Sequence, residues 1–142
     1  MAIQFPDFNP TPTSNSKVTM VKVVRLLFSD FTTGGAASVK AVLPADASIT
    51  NFVVWTKTKL SGGGITAATL SIGTPASATL FVNAQDALTP NSGANAQAAI
   101  VTNIMQPYGL PLGPDIQIQF TGTATTGNPT AGEIYVTIEY VR

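Results

Sequence analysis

The sequence predicts an all-β fold, an antiparallel β-sandwich of jelly-roll type, preceded by an extended Pro-rich N-terminal arm. Three observations carry this. Seven or eight runs rich in β-branched residues are separated by Gly, Pro and Asn turn clusters. The longest runs alternate apolar and polar residues with the period of two that places one set against a core. Almost no segment shows the 3.6-residue periodicity of an amphipathic helix. Many short strands without helices fill two packed sheets.

Residues 1–17 read as the arm and residues 18–142 as the sandwich domain. Pro6, Pro10 and Pro12 each remove a backbone donor and bias the preceding residue toward extended geometry, which excludes a helix. Phe5 and Phe8 sit in this arm, where a purely solvated tail has no use for rings. They either tuck against the domain's own edge or dock on a neighbouring subunit.

The first long strand runs from Val18 to Phe28, with Val18, Met20, Val24, Leu26 and Phe28 on one face, interrupted by Lys22. Thr32-Thr33-Gly34-Gly35 marks a turn, and Val39 to Leu43 is a short strand stopped by Pro44. Ile49 to Leu60 is a second long strand. In its later half Phe52, Val54, Thr56, Thr58 and Leu60 alternate with Val53, Trp55, Lys57 and Lys59, so both lysines share a face with Trp55. Ser61-Gly62-Gly63-Gly64 reads as a flexible loop tip. Ala67 to Gly73 and Ala78 to Val82 are shorter strands around a turn at Thr74-Pro75, and Ala84 to Leu88 reads as a helical turn. Ala94 to Met105 fits a brief helix or an extended insertion, and Pro107 to Pro114 a Pro/Gly-rich crossing. Ile116 to Phe120 and Ile134 to Val141 are the closing strands, joined by a loop over residues 121–132.

Charge bounds the function. Only 10% of residues are charged, and seven basic residues balance seven acidic ones, where about 25% charged is usual. The cations are too few and too scattered for a nucleic-acid surface. A neutral, weakly charged exterior tends to associate, which suits a surface meant to be covered by partners. No run of about 18 apolar residues exists, so no membrane span is expected. The start of the chain lacks the basic and apolar regions of a signal peptide, so synthesis in a host cytoplasm is expected.

Chemistry is scarce. The chain has no His and no Cys, which removes Ser–His and Cys–His nucleophiles, imidazole and thiolate metal sites, and disulfides. The carboxylates Asp7, Asp30, Asp46, Asp86, Asp115, Glu133 and Glu139 are not spaced like a Ca²⁺ loop. Asp46, Asp115 and Glu133 read as loop caps that accept backbone hydrogen bonds. Gly62-Gly63-Gly64 lacks the Lys-Ser/Thr ending of a phosphate-binding loop. No catalytic residue, cofactor or metal site is expected, and the protein is read as a non-enzyme. The residues assigned to a partner interface are Phe5, Phe8, Pro10, Pro12 and Trp55; Trp55 is read chiefly as packing, with sugar stacking beside Lys57 and Lys59 as the alternative.

Leu43-Pro44-Ala45-Asp46-Ala47-Ser48-Ile49-Thr50 leads into the strand ending Lys57-Thr58-Lys59-Leu60-Ser61-Gly62-Gly63-Gly64. Thr69-Leu70-Ser71-Ile72-Gly73 and Phe81-Val82-Asn83-Ala84-Gln85-Asp86-Ala87-Leu88 follow, and the pattern resumes from Gly132 to Tyr140. This order resembles structural proteins of tailed bacteriophages, in particular capsid decoration, or cement, proteins and related virion accessory proteins. The resemblance implies a homo-oligomer, a trimer being favoured, seated on the major capsid protein at the virion surface and bracing it against internal DNA pressure. A carbohydrate- or receptor-binding β-sandwich of a fibre or tail is the alternative, with a glycan as the less favoured ligand.

Overall fold

The computed structural model describes residues 18–89, 94–96 and 114–142, the last stretch but one by its backbone alone. The strands are β1 (Thr19–Leu27), β2 (Phe31–Thr33), β3 (Ala36–Leu43), β4 (Ser48–Ser61), β5 (Ala67–Thr74), β6 (Ser77–Asp86), β7 (Ala94–Ala96), β8 (Ile116–Thr125) and β9 (Ala131–Val141). One 3₁₀ turn, Phe28–Asp30, separates β1 from β2.

Two sheets form. The first has the order β1-β9-β4-β7; in the second β8 pairs with β5, which pairs with β6, while β2 and β3 share the other edge of β8. The chain therefore passes from sheet to sheet at nearly every connection, and β1-β9-β4-β7 facing β3-β8-β5-β6 is the strand order of a jelly roll. All pairings are antiparallel except the short β2–β8 contact. The expected sandwich is thus the observed fold.

The core lies between the sheets and is filled by the alternate residues that periodicity selects. Val24 and Leu26 enter from β1, Phe52, Val54 and Leu60 from β4, Ile118 and Phe120 from β8, and Ile134, Val136, Ile138 and Tyr140 from β9. Phe52 meets Phe81 across the gap, with ring centroids 5.2 Å apart and tilted by 35°. Lys22, the interruption in the β1 pattern, sits at the sandwich seam. Its ammonium donates to the Val42 carbonyl of β3 at 3.1 Å, joining the edge strands of the two sheets.

Four local expectations are corrected. Phe28 is not in the core: it opens the 3₁₀ turn, where the Leu27 amide donates to Asp30 Oδ2 at 2.8 Å, and its ring is exposed. The helical turn over Ala84 to Leu88 is absent, because β6 stays paired with β5 through Asp86. A kink at Ala84 (φ 48°), whose amide donates to Ser71 Oγ at 3.0 Å, keeps that pairing possible. β8 likewise runs on to Thr125, where a loop was expected. Its inward positions there are Gly122 and Ala124, and the Phe31 ring fills the space over Gly122, where a Cβ would lie 2.8 Å from that ring. Finally, Gly62 and Gly63 of the glycine tip are packed, while Gly64 faces open space. Thr130 donates its amide to the Ser61 carbonyl at 2.9 Å, and Gly63 backbone abuts Asn128.

Of the ambiguous segment after Ala94, residues 94–96 are strand, paired with Val54, Val53 and Phe52 of β4. Residues 97–113 and the arm lie outside the described residues.

Candidate functional site

The outward face of β1, β9 and β4 is assembled by register. Val21 stands beside Glu139 and Asn51, Val23 beside Thr137 and Val53, and Arg25 beside Tyr135 and Trp55. These are the residues left over once the alternate positions are spent on the core, so each strand presents a row to the exterior. Trp55 is 40% exposed, and Val21 and Val23 are each 57% exposed. The result is a flat aliphatic and aromatic patch in the middle of a sheet.

Trp55 and Tyr135 stack, with centroids 4.9 Å apart and planes 18° from parallel. Lys57 lies 5.8 Å above the Tyr135 centroid, within cation–π range. Glu133 ties the end of the patch together. Tyr135 Oη donates to its Oε1 at 2.7 Å, the Arg25 guanidinium pairs with the same oxygen, and Lys57 Nζ is 3.5 Å from Oε2. The hydrogen bonds from Tyr135 and then Arg25, against partial burial, hold Glu133 below the ordinary carboxylate range; its bond and charge raise Arg25 in turn. Glu133 is therefore not the loop cap that its position suggests. Asp86 does cap, accepting the Leu88 amide at 2.9 Å, and its bonds from Thr89 and Leu88 hold it low.

The charge on this face is uneven. Arg25 and Lys57 stand against Glu133 at the Trp55 end, whereas the Val21 end carries Glu139, which accepts from Asn51 Nδ2 at 3.4 Å. The opposite exterior face, on β8 and β5, is uncharged: Gln117, Gln119, Thr121, Thr123, Thr69 and Ser71 point outward from it.

The expected interface residues are thus divided. Trp55 lies on the exposed patch, and Phe5, Phe8, Pro10 and Pro12 lie outside the described residues. Sequence reasoning missed Tyr135, Glu133, Arg25, Val21 and Val23 as its companions. The alternation already put Tyr135 opposite Ile134 and Val136, but only pairing brings it beside Trp55. Among the described residues no group of three or more acidic residues is placed to hold a metal ion, and no helix is long and apolar enough to cross a membrane. A shallow depression of ≈ 220 Å³ between the Ser61–Ile65 turn and Leu88 is below the roughly 300–1,000 Å³ of ordinary ligand pockets. A chain of the cyanophage Pam1 capsid asymmetric unit has this fold. The two agree with a TM-score of 0.57 over 99% of this chain and 91% of that chain, at 17% identity. No protein-family model and no curated protein matches the sequence.

Proposed function

We propose that the protein is a structural component of a phage virion, a decoration or cement protein that oligomerises and binds the capsid surface to stabilise it. The observation that carries this reading is the shared jelly roll, which spans nearly all of this chain and of a chain from a capsid asymmetric unit. The surface supports it. On β8 and β5 the exterior carries hydroxyls and amides without charge, and depletion of charge marks the core of protein interfaces. A trimer on the major capsid protein is the assembly this reading favours.

Purified particles test it directly. Mass spectrometry and labelled electron microscopy should find the protein on the capsid shell in regular copy number, with light scattering of the free protein giving its subunit count. Protein found only in the soluble lysate, with none on particles, refutes the reading. The exposure of Trp55 keeps a second one in view, in which the Trp55–Tyr135 pair stacks a sugar ring. Glycan-array binding that Trp55→Ala removes while the fold is retained would favour it.

A further inference from the structure

The Trp55–Tyr135 patch calls for a partner of definite chemistry. Its aromatic pair, aliphatic neighbours and net positive end describe a partner that is apolar, extended and acidic at one point. A glycan fits less well, because Glu133 is already engaged by Tyr135, Arg25 and Lys57, and the neighbours Val21, Val23 and Val53 offer a sugar no hydrogen bond. We propose that the arm segment Phe5-Pro6-Asp7-Phe8, together with Pro10 and Pro12, docks on this face of its own domain, with the rings on Trp55, Tyr135 and the valines and Asp7 against Lys57 and Arg25.

Composition, charge and reach each support this occupant. Three prolines in residues 5–12 deny the segment the amides needed to extend a sheet, so it must bind through side chains. Extended Pro-rich segments recognise grooves and faces lined by Trp and Tyr in this way. Asp7 is the one charged side chain among residues 1–16, and the aromatic end of the patch carries two cations, Arg25 and Lys57, against one carboxylate. The opposite end, with Glu139, repels it, which fixes a direction. The arm enters β1 at Thr19, and the Arg25–Tyr135–Trp55 row lies six residues further on, about 20 Å along the strand. Docking requires the polar stretch Thr13 to Lys17 to turn the chain back, with Pro12 at the level of Thr19. From there about 3.1 Å per residue carries the chain about 16 Å to Asp7 and about 22 Å to Phe5. The segment thus lands on the cationic, aromatic end with no slack to spare. This docking does not depend on the virion assignment.

Trp55 is the single tryptophan of the chain, so its fluorescence reads the site alone. The full-length protein and the double variant Phe5→Ala/Phe8→Ala are compared by emission maximum and acrylamide quenching, with circular dichroism confirming the fold. Asp7→Lys serves as a second, milder variant. Loss of docking should shift emission to the red and raise quenching in both, more in the double variant, and high salt should move the wild type toward Asp7→Lys. Unchanged Trp55 quenching in the double variant overturns the proposal. Shielding of wild-type Trp55 that disappears on dilution also overturns it, because the arm would then come from a second copy.

Discussion

Trp55 of β4 and Tyr135 of β9 occupy paired positions on the outside of the sheet, their rings stacked 4.9 Å apart, while Glu133 accepts the Tyr135 hydroxyl. Aromatic pairs of this kind contribute about 0.5–1.5 kcal/mol beyond their area burial. Trp55→Ala loses that increment together with the burial of the covered part of the ring, so it should lower stability by about 1–3 kcal/mol and leave the fold intact. Urea denaturation of the variant checks this. A loss several times larger would mean that Trp55 is a core residue and not a surface one.

Glu133 gives the patch a pH dependence. Its folded-state pKa lies below the ordinary value, so its contribution is fully present above the unfolded pKa and is lost as pH falls through the lower folded value. The group is close to solvent, so the effect is small. Denaturation midpoints of the wild type and Glu133→Gln should differ at neutral pH and converge in acid below the ordinary carboxylate range. Curves that stay parallel into acid refute the assignment.

Phe52 and Leu80 contrast core with exterior. Phe52 is fully buried against Phe81, whereas Leu80 points out of β6 into solvent. Phe52→Ala should destabilise by about 3–5 kcal/mol, the range for large aromatic truncations in cores, and Leu80→Ala by no more than about 0.5 kcal/mol. Thermal or chemical unfolding separates the two outcomes easily.

Gly132 and Gly64 both have positive φ, 133° and 72°, but different surroundings. A Cβ at Gly132 would lie 2.7 Å from Leu60 Cα and 3.0 Å from its amide nitrogen, where β4 bulges against β9; at Gly64 nothing lies within 4 Å. Gly64→Ala should lose roughly 1–2 kcal/mol from backbone conformation alone. Gly132→Ala adds a backbone clash to that strain and should lose clearly more, with reduced soluble yield as a second readout.

How much of this was legible in the sequence depends on the range of the interaction concerned. The inward sets of β4 and β9 follow from alternation along one strand, because a half-buried strand must place every second side chain against the core. The same rule put Trp55 and Lys57 together on the outside, but the expected place of Lys59 beside them is corrected by the register shift after Thr56, which seats Thr58 beside Glu133 instead. The absence of imidazole and thiol chemistry was equally fixed by composition.

Tertiary structure decided what depends on which strands meet. β8 continues through Ala124 because β5 and β2 pair with it there, and Gly122 suffices on its inward side because Phe31, some 90 residues earlier in the chain, takes the volume a larger side chain would have filled. β6 extends through Asp86 because β5 offers it partners, which outweighs the local preference for a turn. Trp55 meets Tyr135, and Glu133 gathers Arg25 and Lys57, only through the register of β1, β9 and β4. Period and composition are properties of neighbours along the chain. Register and shared volume arise only when distant strands compete for the same space.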